Sequence, residues 1–249
     1  MDTLWSTLRA AIIAGLVAAV LAAVFHQVLT EPVIDRAISA EEARAAPQPG
    51  HAHEAPVVSR GGQKIGLVVG LLIYGLVWGL LVGVGLYATR DWVSPGWSLG
   101  RHGLVVAGLV GWSVALFPFL KYPANPPGVG EPGSIGYRQT LYLGFIGLAV
   151  LGLFLAASLR RHVATVGAAA WFAPVGFYAV WALGLYALMP PNPDPVELSE
   201  TIVRPFRTLS LAGLVVFWGG FALVLAYLGR ERTGVIGAGR KMMPGPVAS

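Results

Sequence analysis

Apolar positions in this chain come in long uninterrupted runs rather than in alternation or one-sided stripes. Stretches free of Asp, Glu, Lys and Arg cover residues 10–30, 65–89, 102–120, 139–159, 162–193 and 208–229. A helix needs ~20 apolar residues to cross the hydrocarbon of a bilayer. Peptide groups there must bond within their own segment, so helices are the expected solution. The six runs predict six transmembrane helices, at about 8–30, 65–89, 103–120, 140–159, 163–189 and 208–229. The fifth run is overlong, but its end, Pro190-Pro191-Asn192-Pro193, reads as loop. The first run carries one basic residue, Arg9, balanced by Asp2, and stays apolar to Leu29. That is longer than the ~7–15 residues of a signal-peptide core, so it reads as a retained span. Residues 31–64 then form a long loop, and 231–249 a flexible tail.

Composition sharpens the class. Hydrophobic types make up 55% of the 249 residues and charged types 12%, against ~25% charged in a soluble domain. Mean hydropathy is +0.68. A water-soluble globule and a disordered chain are both excluded, because the polar residues are too few to cover the apolar ones. The expected fold is an all-α integral membrane protein, one polytopic domain over residues 1–230. There is no cysteine, hence no disulfide, thiolate metal site or iron–sulfur cluster. The net charge of +5 comes from basic residues at the ends of apolar runs. This fits anchoring to membrane lipid and gives no nucleic-acid stripe.

An even number of spans puts both termini on one side. That side carries 9 Lys/Arg and 3 acidic residues, the other 8 and 9. The short loops with Arg90, Arg101, Arg160 and Arg161 point to the cytoplasm. Both termini are therefore expected inside the cytoplasmic membrane, with loop 31–64 outside.

Gly62, Gly66 and Gly70, then Gly75, Gly79 and Gly83, recur every four residues in the second span. Small residues at this spacing let helices approach closely, within the chain or in a homo-oligomer; glycine is also simply common in membrane helices. Pro118 and Pro174 are expected to kink their helices.

One pattern occurs twice. Pro123, Asn125 and Pro126 match Pro190, Asn192 and Pro193 at a constant offset of 67. The next span opens with Tyr137-Arg138 in one case and Phe206-Arg207 in the other, an offset of 69. Two spans separate the copies, which predicts a parallel internal repeat with both loops on the same side, as in some transporters. Each loop carries acid: Glu131 in the first, Asp194 and Glu197 in the second, followed by Glu200. The repeat reads as an outer vestibule whose arginines pair with loop carboxylates or backbone carbonyls. The alternative is that Pro-Asn-Pro stops a helix and Arg snorkels to the interface.

Few residues could do chemistry. His51-Ala52-His53-Glu54 lies in the 31–64 loop and could hold Co²⁺, Ni²⁺, Zn²⁺ or Cu²⁺ loosely, or be two solvated histidines in a linker. His26, beside Gln27 near the outer end of the first span, is either an intermediate ligand or an interfacial side chain. No phosphate-binding loop, nucleophile elbow or His-Glu-x-x-His motif occurs, so no enzyme is expected.

The run Phe-Pro-Phe-Leu-Lys-Tyr-Pro-Ala-Asn-Pro-Pro (117–127), then Tyr137-Arg138-Gln139, Pro195-Val196-Glu197-Leu198 and Phe206-Arg207 with Ser210, resembles the CbtA family of predicted cobalt transporter subunits. The resemblance covers roughly residues 5–230. It implies movement of a divalent metal, Co²⁺ or else Ni²⁺, without a tightly bound cofactor. It also implies a small His-rich single-span partner, CbtB. Family members often carry a denser His cluster in the first loop and are often described with five spans. On this reading His51, His53 and Glu54 concentrate metal, His26 is an intermediate ligand, and Asn125, Glu131, Asn192, Asp194 and Glu197 line the way. Arg138, Gln139 and Arg207 complete the loop ends. The competing expectation is a structural membrane subunit that transports nothing.

Overall fold

Each apolar run becomes a helix because only the next turn of the same segment can satisfy a peptide group in hydrocarbon. The computed structural model describes residues 4–45, 58–93, 96–127, 129–163, 167, 169–194, 196 and 198–230. Among these the order is α1 (Leu4–Phe25), α2 (Glu31–Ala45), α3 (Arg60–Ala88), α4 (Leu99–Gly111), α5 (Phe117–Lys121), α6 (Ile135–His162), α7 (Ala169–Leu188) and α8 (Glu200–Gly229). Among the described residues five stretches are long and apolar enough to span a bilayer: Leu4–Glu42, Arg60–Ala88, Leu99–Lys121, Ile135–His162 and Glu200–Gly229. Within α7 lies a shorter apolar helix, Phe172–Leu188. The 20 residues of α7 still make a rod ~30 Å long, the thickness of the hydrocarbon. Large apolar side chains such as Val180, Leu183 and Leu223 stand exposed on these helices, where lipid rather than water is their solvent. The protein is an all-α integral membrane protein with about six spanning helices.

The predicted 31–64 loop is in part helix. A five-residue π turn, His26–Thr30, joins α1 to α2 without a break, and the chain stays helical to Ala45. Charges at Glu31, Asp35 and Arg36 end a membrane-compatible run. They do not end a helix, and α2 is rich in Ala, Glu and Arg, all strong helix formers. A second π turn, Trp112–Leu116, joins α4 to α5. Each wide turn stands immediately before a residue-proline pair, Glu31-Pro32 and Phe117-Pro118. Proline lacks the N–H and its ring presses on the carbonyl four residues back. Opening the turn by one residue relieves that clash while the peptide before proline still bonds, Glu31 N–H to His26 O and Phe117 N–H to Trp112 O. The disturbance expected at Pro118 takes this form, whereas Pro174 lies within α7. The tail 231–249 lies outside the described residues.

The chain divides into two compact units. The first comprises residues up to Leu21, Val68–Gly108 and those from Phe217 on. Here Gly75, Gly79 and Gly83 face α1 so closely that a Cβ at 79 would sit 2.8 Å from the Ile12 Cα, and one at 75 would lie 2.8 Å from the Ala19 Cβ. The second glycine stripe is therefore filled within the chain. Gly66 and Gly70 of the first stripe meet nothing within 4 Å. Tyr74, Trp78, Phe217 and Trp218 form an edge-to-face aromatic cluster beside this contact.

The second unit comprises Ala22–Leu67 and Leu109–Val216. Its core gathers Phe117, Phe145, Ala149 and Leu185, with Trp112, Tyr122 and Met189 packed around them. Gly152 makes room for the Trp181 indole, which donates to the Leu148 carbonyl at 3.0 Å. Contacts between the third and fifth spans join Ser113 to Tyr178, Leu120 to Tyr186 and Tyr122 to Pro190, separations of 65, 66 and 68 residues. A nearly constant separation means that the two segments run parallel and in register. Their C-terminal ends, with the two Pro-Asn-Pro loops, therefore lie side by side.

Candidate functional site

Proline stiffness makes these loops, and arginine fastens them. Pro123, Pro126 and Pro127 hold the first loop extended, and Pro190, Pro191 and Pro193 the second. Tyr122 Oη donates to the Pro190 carbonyl at 2.7 Å, and Lys121 Nζ to the Tyr186 carbonyl at 2.8 Å. Burial, and then the neighbouring Tyr137, push the Tyr122 phenol above its ordinary value, so it remains a neutral donor.

The arginine after each loop grips the other loop's partner. Arg138, on the first turn of α6, places Nε 3.0 Å from Asp194 Oδ2. Arg207, on α8, donates from Nη2 to Asn125 Oδ1 at 2.8 Å and from Nε to the Ala124 carbonyl at 3.4 Å. Asp194 is buried; it also accepts from Ser134 Oγ at 2.9 Å and the Glu131 N–H at 3.1 Å. The Ser134 hydrogen bond first, then the Glu131 N–H and the Arg138 charge, hold its carboxyl below the usual range. Asn192 Oδ1 accepts from the Asp194 N–H at 3.2 Å, closing an Asx turn. Gly130 completes the clasp. Its φ is +109°, and a Cβ there would lie 2.6 Å from Arg138 Nη1 and 2.9 Å from Asp194 Oδ2.

Between the loops is a cavity of about 250 Å³, lined by Tyr122, Asn125, Arg138, Leu141, Tyr142 and Asn192 among others. The structure thus brings together five of the residues expected at the loops: Asn125, Arg138, Asn192, Asp194 and Arg207. Glu131 joins them through its backbone, while its side chain is exposed. Gln139 is exposed on α6. Glu197 lies outside the described residues, as do His51, His53 and Glu54.

His26 stands in the π turn, its Nδ1 2.9 Å from the buried Thr30 Oγ1. Its ring occupies the space a side chain at Gly213 would need. Gln27 donates to the Lys64 carbonyl at 2.7 Å. Among the described residues no three His, Asp or Glu side chains gather to hold a metal, so His26 has no such companions there.

One charged cluster was not anticipated. Glu31 and Asp35 on α2 face Arg60 and Lys64 at the start of α3. Arg60 pairs with the buried Glu31 and lies 2.7 Å from Asp35, and Lys64 is 3.2 Å from Asp35. The signal was present as two like-charge pairs, each four apart and of opposite sign. It becomes a contact only because Glu31–Ala45 is helix rather than loop.

No curated protein and no solved structure matches this chain. A protein-family model does, over residues 6–230, and its description is a probable cobalt transporter subunit. That match takes in every span and both Pro-Asn-Pro loops, so the chain belongs to the CbtA family of transporter subunits.

Proposed function

We propose that the chain is the membrane-spanning part of a system that moves a divalent transition-metal cation, Co²⁺ before Ni²⁺, across the cytoplasmic membrane, with both termini inside. The observation that carries the reading is the pair of stiff loops, cross-fastened by Arg138 and Arg207 around a polar cavity at the end of two parallel spans. The duplicated motif is read as a parallel repeat, and the cavity as its outer vestibule. His51, His53 and Glu54 are assigned a capture role ahead of it, since two imidazoles and a carboxylate suit a borderline divalent ion. The clasp of Glu31 and Asp35 with Arg60 and Lys64 supports this by anchoring the base of the segment that carries them. Weak multi-site binding is what conduction requires. The driving force is assigned to the membrane potential or to a partner, a small His-rich single-span chain. The reading is of a transport protein rather than an enzyme, following from the family.

The test is Co²⁺ uptake into proteoliposomes holding the purified chain, with and without that partner, against Ni²⁺, Zn²⁺ and Mg²⁺. Saturable Co²⁺ uptake is expected, and a His51→Ala/His53→Ala variant should lose it at scarce metal only. No flux from folded protein under either condition would favour a structural subunit.

A further inference from the structure

The hydrogen-bond directions around the inter-loop cavity decide what it can accept. Arginine and a backbone N–H only donate. The atom of Asn125 that meets Arg207, and the atom of Asn192 that meets the Asp194 N–H, must therefore be the amide oxygens. Each asparagine has turned its acceptor into the protein, leaving its NH₂ group as the outward face. Among the described residues nothing accepts from either NH₂ group. Arg138 stands beside them: its buried Nε lies 3.0 Å from Asp194 Oδ2 without a well-formed hydrogen bond, and its Nη2 reaches the Glu131 carbonyl at 3.4 Å.

The lining thus offers a guanidinium and two amide donors, with the Tyr142 phenol, which serves either way, the Tyr122 phenol, whose proton goes to the Pro190 carbonyl, and no carboxylate among the described residues. The Asp194 carboxylate is occupied by Arg138, Ser134 and the Glu131 N–H, the exposed Glu131 side chain is not part of the lining, and Lys121 and Arg207 contact neutral groups among the described residues. A bare divalent cation seeks the reverse, oxygen acceptors with negative charge. A guanidinium and amide donors lining a partly enclosed site recognise an anion with several oxygens. The volume of about 250 Å³ is that of roughly eight waters at ~30 Å³ each, room for a small di- or tricarboxylate.

We propose that the cavity between the two Pro-Asn-Pro loops is a carboxylate site, in which Arg138 and the amide NH₂ groups of Asn125 and Asn192 bind a small polycarboxylate, either free or already chelating a divalent metal. The inference deepens the transport reading, on which it rests for its setting, by naming what the vestibule admits. Binding is measured without flux, so a failure of transport leaves it standing and its own failure leaves transport standing.

The experiment is equilibrium binding of labelled citrate to the purified full-length chain in lipid nanodiscs, with citrate alone, Co²⁺ alone and the two together. The deciding variants are Asn125→Asp and Asn192→Asp. Both keep the inward oxygen, so the Arg207 and Asp194 hydrogen bonds survive, and both replace the outward donor by a carboxylate oxygen. Unfolding midpoints for the variants at or above wild type confirm that the loops are intact. Citrate binding that each variant weakens about tenfold or more supports the proposal. If it occurs without metal the ligand is the free carboxylate, and if it needs Co²⁺ the ligand is the chelate. Binding that neither variant weakens would overturn it, and so would no citrate binding by folded wild type in either form. Co²⁺ binding alone, tightened by Asn125→Asp, would overturn it in favour of a cation site.

Discussion

The loop clasp makes its sharpest prediction at Gly130. Replacing this residue by alanine asks a side-chain-bearing residue to hold φ of +109°. Residues in such sparsely populated regions cost ~1–3 kcal/mol. The new methyl also lands 2.6 Å from Arg138 Nη1 and 2.9 Å from Asp194 Oδ2. Overpacking of this kind adds ~1–3 kcal/mol. The lower part of that range applies because the Arg138 side chain is 27% exposed and can shift. Gly130→Ala should then lose about 2–4 kcal/mol. Gly167 is the control: its φ is +56°, and a Cβ there meets nothing within 4 Å. Gly167→Ala should cost only the left-handed backbone penalty, ~1–2 kcal/mol. Reversible denaturant unfolding of the purified chain in mixed micelles measures both. A cycle with Arg138→Ala isolates the contact, since truncating the arginine removes the closer clash. A coupling of about 1 kcal/mol or more between positions 130 and 138 is expected, within the ~0.5–3 kcal/mol found for contacting residues. Equal losses at 130 and 167, with no coupling to 138, would refute the argument that glycine is needed here for space as well as conformation.

Asp194 makes a pH prediction. Its folded value is lowered from the ordinary 3.8, so the stability it contributes is fully present above that pH and is lost as pH falls through the lower folded value. Unfolding midpoints should show no Asp194-dependent change between pH 7 and pH 5, and an acid limb below about pH 4 that Asp194→Asn removes. At the base of α2, Glu31→Gln leaves Arg60 half-served and should cost about 1–3 kcal/mol, less than the ~3–5 kcal/mol of a fully buried pair because Arg60 is 29% exposed; an Arg60→Gln/Glu31→Gln double variant should recover part of the loss. Gly79→Leu should block the approach of α3 to α1, where even a Cβ lies 2.8 Å from the Ile12 Cα, and so lower the yield of folded protein; Gly70→Leu, with nothing within 4 Å, should express as wild type, and equal behaviour of the two would undo the packing argument.

Much of this protein is legible along the chain. Charge-free runs of spanning length determine membrane helices, since hydrocarbon offers a peptide group no partner but its own helix. The spacing of Pro-Asn-Pro and of the following arginines already marks the two loops, and proline rigidity makes them loops rather than helix. The absence of cysteine excludes whole chemistries outright. Other features depend on residues far apart in sequence and exist only once the chain is folded. Counting charge-free residues reports solvent compatibility, so it ended the first span at Glu31, although helix formation by Glu31–Ala45 depends on propensity and on the partners Arg60 and Lys64. The two glycine stripes have the same spacing, yet it is Gly75, Gly79 and Gly83 that meet another helix, while Gly66 and Gly70 meet nothing within 4 Å, because a stripe states where a helix can approach and not which one does. Which arginine holds which loop was likewise a matter of space. Arg138 lies seven residues from Glu131 and pairs instead with the carboxylate of Asp194. The Asn192 amide is turned by its own Asx turn to the Asp194 N–H, but the direction of the Asn125 amide, and with it the character of the cavity, follows only from Arg207, which tertiary folding places against it.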